Sequence, residues 1–477
     1  MKIALLASEG APFIKSGGLG DVVGSLPKAL AKIPGNEVVV LLPYYKQISE
    51  QFAAESVTQS TIQLGWRQQY VGIYQIPTDN VTVYFIDSLY YFGGRDGGIY
   101  GHGDDAERFA YFSKGCLEAL RQLNFIPDII HCNDWQTALV PAFLQADYRA
   151  SFPYTKCVLT IHNIEYQGYA LGDFFDDVLA LPEEFRLRLD MGGNVNPLKG
   201  GIETADWVTT VSESYAKELL QPEYAHGLEN VIYGNAHKLT GIINGIDMET
   251  MNPETDGNLP VNYNADTLTE GKALCKAALQ KELGLPENPA APLLVMVSRL
   301  VAHKGLDLLQ QIAREVLEEN ACQMVILGTG DGYFEDFFRT LQKDFPEQVS
   351  TQIQFDTRLA SRVYAGGDIY LMPSKSEPCG LSQLYAMRYG TVPVVHAVGG
   401  LADTVPGADR LGRGGSGFVF KTYDAGEFAD ALRRCLGLYY GRNDRFRSLQ
   451  KRCMQRDFGW AKSAQQYMEL FKKISVF

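Results

Sequence analysis

The sequence predicts an α/β chain of two doubly wound parallel-sheet domains facing a cleft. Short apolar runs alternate with helix-period segments along both halves of the chain. A stretch rich in Pro and Gly, residues 252–292, interrupts that alternation midway. The length of 477 residues exceeds one ordinary core, so two or three domains are expected.

In the first half, residues 3–7 (IALLA) read as the opening strand, and apolar runs at 37–42, 81–86, 129–132, 157–161 and 207–211 continue the sheet. Residues 22–32, 106–123 and 214–220 carry helical spacing between them. The second half repeats the theme with strands at 293–297, 323–327, 352–355, 369–372 and 392–396, and a helix over 306–320. An amphipathic stretch over 460–474 closes the chain. The domains expected are residues 1–245, residues 246–457, and a terminal segment 458–477 that packs back on the first domain.

Composition narrows the function. A net charge of -13 argues against nonspecific nucleic-acid or anionic-membrane binding and leaves small molecules or neutral polymers as partners. Glu9 interrupts the N-terminal apolar run before a signal-peptide core forms, and no later run is long enough to span a bilayer, so a cytoplasmic protein is expected. The eight Cys lack any C-x-x-C pair and several fall in apolar patterns, which fits buried reduced thiols. No zinc pattern and no Asp-x-Asp pair is present, so neither a metal nor a cofactor is expected.

Ligands of open α/β sheets lie beyond the carboxyl ends of the strands, and five segments place chemistry there. The segment PSKSEPCGLSQLYAMRYG follows the strand at 369–372 and puts Glu377, Cys379 and Gly380 on a turn into a helix. Glu377 there is either a ligand carboxylate or a charge at a helix start, while that start suits a phosphate. Arg299 and Lys304 follow the strand at 293–297 and are either partners of a diphosphate or solvated loop charges. After the first strand come Lys15, Gly17, Gly18, Gly20 and Asp21, which match neither a Walker A loop nor the G-x-G-x-x-G fingerprint. Asp134 and Gln136 follow the strand at 129–132, and His162 and Asn163 follow the strand at 157–161, just ahead of Tyr166. The loop over 90–109, with Tyr90, Arg95 and Asp96, suits sugar rings or forms a plain Gly-rich lid.

The ordered set Lys15-Ser16-Gly17-Gly18-Leu19-Gly20-Asp21, Asn133-Asp134-Trp135-Gln136, Thr160-Ile161-His162-Asn163, Ser298-Arg299-Leu300, Lys304-Gly305 and Ser376-Glu377-Pro378-Cys379-Gly380-Leu381 resembles bacterial glycogen synthases and plant starch synthases. The likeness runs from Met1 to Trp460, with Gln136 where many bacterial members have His and Ser16 where many have Thr. It implies the GT-B fold of two Rossmann-like domains, and transfer of glucose from ADP-glucose to the non-reducing end of an α-1,4-glucan with retention. By that resemblance Glu377, His162, Asp134, Arg299 and Lys304 form the reaction centre. Lys15, Gly18, Asp21, Asn163, Arg299, Lys304, Phe355, Cys379, Gly380, Leu381 and Ser382 bind the donor, and Tyr90, Arg95, Asp96 and Tyr166 meet the acceptor. Phe355 either stacks on the donor base or packs in the core. The resemblance leaves a UDP-glucose enzyme, a silent glucan-binding homologue and, more remotely, a glycoside hydrolase as rivals.

Overall fold

Runs of Ile, Val and Leu form strands because such side chains pack well on a pleated surface, and a strand covered on both faces needs no polar alternation. The run KIALL forms β1 (Lys2–Leu6). After it come β2 (Glu37–Pro43), β3 (Glu55–Leu64), β4 (Arg67–Pro77), β5 (Thr82–Asp87), β6 (Ile129–Asn133), β7 (Lys156–Ile161), the short β8 (Asp190–Met191) and β9 (Asn194–Val195), β10 (Trp207–Thr210) and β11 (Leu239–Gly241). In the computed structural model, which describes residues 1–78 and 80–475, nine of these form one sheet in the order β11-β10-β7-β6-β1-β2-β5-β4-β3. Its strand pairs are parallel except β3–β4 and β4–β5.

The second half supplies β12 (Leu293–Val297), β13 (Gln323–Leu327), β14 (Val349–Gln352), β15 (Ile369–Met372), β16 (Val392–His396) and β17 (Phe418–Phe420), all parallel in the order β14-β13-β12-β15-β16-β17. Counted within its own half this is the order 3-2-1-4-5-6, the Rossmann arrangement. The run β5-β2-β1-β6-β7-β10 repeats it in the first sheet. Each sheet therefore has a switch point, where loops leave neighbouring strands in opposite directions and open a crevice. In the first sheet it lies beyond β1 and β6, and in the second beyond β12 and β15.

The chain divides into two compact units, Met1–Gly245 with the segment from Trp460 on, and Ile246–Gly459. The terminal helix Ala461–Ser475 belongs to the first unit: Tyr467 and Phe471 set their rings 5.1 and 5.8 Å from that of His131, and Ser463 Oγ donates to Ile243 O at 2.6 Å. Among the described residues no helix is long and apolar enough to cross a membrane.

Four local expectations are corrected. The strand expected over 352–355 lies at Val349–Gln352, because pairing with β13 selects buried Val349 opposite Met324. Phe355 consequently sits beyond the strand end, 73% exposed, and is not a core aromatic. The helix expected from residue 22 starts at Gly18, so part of the glycine-rich loop is already helical, with Asp21 in a first turn that favours a negative charge. The Pro- and Gly-rich stretch over 252–292 contains a 15-residue helix, Leu268–Glu282, anchored by Lys272. That buried ammonium donates to the carbonyls of Ala365 and Tyr389 and to Thr391 Oγ1 at 2.9–3.0 Å. Finally, the β3–β4 hairpin was not anticipated from the alternation of apolar runs.

Candidate functional site

In the second unit the loops leaving β12 and β15 touch. Gly305 has φ +74, and a Cβ there would fall 2.0 Å from Pro373 O, so only glycine permits the approach. The contact brings Lys304 Nζ within 2.6 Å of Glu377 Oε2, with Ser374 Oγ donating to the same oxygen at 3.2 Å. The Lys304 and Glu377 side chains are 17% and 8% exposed, a largely desolvated pair at the edge of the crevice. Glu377 O accepts from Gly400 N at 3.0 Å, while Gln383 Nε2 holds Cys379 O at 3.1 Å and Gly380 O at 2.9 Å. The turn is thus fixed from both sides before the helix Ser382–Arg388 begins. Cys379 is buried, and Ser382 Oγ approaches Met372 Sδ at 3.6 Å. Arg299 is exposed at the same strand edge. The Gly328–Gly332 turn is tied to its loop by Leu300 N to Thr329 O and Asp331 N to Leu300 O, each 2.8 Å.

In the first unit the switch point assembles Asp134, His162 and Asn163. Asp134 has φ +56 and ψ -175, a sparsely populated conformation for a residue with a side chain, and such strain collects at functional sites. Its Oδ1 accepts from His162 N at 2.7 Å and Asn163 N at 3.3 Å. Burial drives this carboxyl up to about 7, the charge of Glu9 adds to the rise, and the two amide bonds oppose it.

Asn133 Nδ2 donates to Leu6 O and His131 O, which turns its Oδ1 toward His162 Nε2 at 2.9 Å. An amide oxygen only accepts, so Nε2 carries the proton and Nδ1 is left as an acceptor. Burial holds this imidazole neutral, down to about 3.

Glu9, passed over in the sequence as a ligand candidate, is buried in the loop after β1, where its Oε2 accepts from Ser16 N. Burial raises its carboxyl, and amide bonds from Ser16 and Gly17 work against that. The signal available was its place directly after the first strand. Lys15 Nζ lies 2.7 Å from Asp21 Oδ1 across the first turn of the helix that starts at Gly18.

The outer residues are arranged differently. Arg95 forms a two-bond pair with Asp104 at 2.7 and 2.6 Å, donates to Tyr90 O at 2.6 Å and lies 5.4 Å from the Tyr90 ring centre. Asp96 pairs with Lys46 at 2.5 Å, and Tyr166 is exposed on the loop after β7. Arg95 and Tyr90 are thus joined to each other, and Asp134, His162 and Asn163 are joined directly.

Family models match both halves: a starch synthase catalytic domain over residues 2–234 and a group 1 glycosyl transferase over residues 278–448. The glycogen synthase of Exiguobacterium sibiricum is 47% identical across 100% of this chain and 99% of its own length. The chain belongs to the glycogen and starch synthase family. The Bacillus subtilis glycogen synthase of that family is 44% identical over 100% of this chain and 98% of its own. The catalytic domain of starch synthase IV from Arabidopsis thaliana, solved bound to ADP and acarbose, superposes with a TM-score of 0.91 at 34% identity, covering 99% of both chains. A Thermosynechococcus elongatus sucrose-phosphate synthase, at 20% identity and a TM-score of 0.62, shares the fold alone. The GT-B class and a glycosyltransferase activity of glycogen synthase type follow from membership of the glycogen and starch synthase family.

Proposed function

We propose that the chain transfers glucose from ADP-glucose to the non-reducing end of an α-1,4-glucan with retention at the anomeric carbon. The observation that carries this reading is the Lys304–Glu377 pair at the switch point of the second sheet, which sets a cation and a carboxylate side by side where a sugar diphosphate has one of each to meet. In the reaction the bond from the anomeric carbon to the diphosphate breaks, ADP leaves with the electron pair, and the acceptor hydroxyl forms the new bond and loses its proton. Arg299 and Lys304 stabilise charge growing on the departing ADP. Glu377 lies against the donor glucose and balances positive character at the anomeric carbon.

Phe355, exposed past the end of β14, stacks on the donor base, and the backbone of Gly380, Leu381 and Ser382 with Cys379 borders the phosphates. In the first unit Lys15, Gly18, Asp21 and Asn163 serve the donor, Asp134 and neutral His162 line the reaction centre, and Tyr90, Arg95, Asp96 and Tyr166 serve the acceptor. No resident metal or cofactor takes part in this scheme. Eight buried cysteines, none in a disulfide, accord with work in a reducing cytoplasm.

The test is nucleotide release from ADP-glucose and from UDP-glucose, with and without glycogen. Glycogen-dependent ADP release is expected. Preference for UDP-glucose, or glucan binding with no nucleotide release, would overturn the reading. Glu377→Ala should keep donor binding and lose turnover on the order of 10²-fold; near-normal turnover in a folded variant would remove Glu377 from the scheme.

A further inference from the structure

The β3–β4 hairpin projects from the first unit with an aromatic tip that the reaction scheme leaves unused. β4 pairs with β5 only from Gly72, opposite Asp87, so residues 67–71 run beyond the carboxyl end of β5. Five residues extend about 17 Å, and three strand spacings separate β4 from β1, so the tip stands on the order of 20 Å from the loop after β1. It points off the same sheet edge from which the Glu9, Asp134 and His162 loops leave.

The tip is rigid and its ring is presented outward. The two loop residues are Gly65 and Trp66, and Gly65 alone of the pair has positive φ, at +58. A Cβ on Gly65 would fall 1.8 Å from Asp177 O, so the turn is pressed against the Asp177 backbone. Trp66 Nε1 donates to Asp177 Oδ1 at 2.9 Å, and Arg67 donates to Asp177 O and Oδ2 at 2.8 and 2.7 Å. The Arg67 guanidinium lies 4.7 Å from the centre of the indole. Despite these restraints Trp66 is 75% exposed.

Arg67 also approaches Glu107 at 3.6 Å, and Glu107 accepts from Tyr91 Oη at 2.6 Å, next to Tyr90, which is 64% exposed. A hollow of about 400 Å³ with a mixed lining, apolar at Ile62 and Ala180 and polar at Gln63, Lys114 and Asp147, reaches the tip at Gly65.

An exposed, immobilised aromatic ring bordered by guanidinium, carboxylate, amide and hydroxyl groups has the chemistry of a sugar platform: a flat apolar face for the ring and bonding groups for the hydroxyls. We propose that Trp66 and the adjoining hairpin surface bind a glucan chain at a distance from its growing end. This rests on the reading that the chain extends a glucan. The separation from the strand-end loops means that only acceptors several glucosyl units long gain from it. The platform therefore sets a preference for long chains and leaves the chemical step alone.

The experiment measures kcat/KM of the full chain and its Trp66→Ala variant with ADP-glucose, using maltotriose and glycogen as acceptors, alongside retention in a native gel containing glycogen. Loss of one stacking face should lower kcat/KM for glycogen about five- to tenfold and reduce gel retention. With maltotriose the two proteins should agree within about twofold. Trp66→Phe, which keeps a ring but not the N–H, should recover most of the loss. An equal loss with both acceptors, or unchanged glycogen kinetics and retention, would overturn the proposal. A wild-type chain inactive toward every glucan would instead overturn the reading on which it rests.

Discussion

Lys304 and Glu377 are legible in the sequence as separate loop charges, but not their 2.6 Å contact, because that depends on Gly305 letting two loops touch. The contact makes each hostage to the other. Lys304→Met leaves a mostly buried carboxylate without its cation, which lowers stability by about 3 kcal/mol. Thermal unfolding should show that drop, and adding Glu377→Gln should restore the unfolding temperature while turnover stays lost.

Asp134 makes stability depend on pH. Its folded carboxyl titrates near 7 against an ordinary 3.8, so the folded state holds the proton more tightly. The stability this contributes is complete below 3.8 and is lost as pH rises through about 7. Asp134→Asn keeps an acceptor for the His162 and Asn163 amides and suits positive φ better, so its unfolding temperature relative to the parent should climb from pH 4 to pH 8. A difference constant with pH would contradict the origin given for that shift. Neither the positive φ of Asp134 nor the burial of Glu9 is written in local sequence, since both arise from neighbouring strands.

Among elements, the buried parallel strands were readable because runs such as VVVLL and LLVMV are continuous, apolar and too short for a helix. The hairpin was not, since QSTIQLGWRQQYVGIYQI mixes polar and apolar residues without a short apolar run, as an edge pair with one wet face does. β14 slid by three residues because VSTQ and QIQF are equally plausible alone, and only the partner β13 chooses. The hairpin tip tolerates little change. Gly65→Ala would place a Cβ into Asp177 O and strain the backbone by about 1–3 kcal/mol. Cleavage by a low dose of protease should then appear at residues 64–67, with the Trp66 platform lost; a tip as resistant as the parent's would show that the turn accommodates a side chain.

At the scale of the whole molecule, the alternation of strands and helices disclosed two doubly wound sheets, and the ordered motifs disclosed the family. The identical 3-2-1-4-5-6 core of both sheets was visible only once strand neighbours were known. Acid sensitivity is a property at this scale, because it sums over groups buried neutral. His131, closed in against Tyr467 and Phe471 of the terminal helix, is pushed down to about 3 by burial, far below its ordinary 6.5. The unfolded chain binds that proton more readily, so the contribution is complete above 6.5 and is lost as pH falls toward 3. His131→Asn should lose stability less steeply than the parent between pH 6.5 and 4 in urea titrations, and equal slopes would refute this.

The second unit is an insertion in the first: Ile246 N donates to Phe458 O at 2.8 Å, and Ile246 bridges Gly459, so its two ends lie side by side. The first unit is therefore built from residues on both sides of the inserted Ile246–Gly459 unit, with its Ala461–Ser475 helix following the insertion in the chain. Residues 1–245 alone thus cannot finish their own core, because the Tyr467 and Phe471 rings that cover the His131 face come from beyond the insertion.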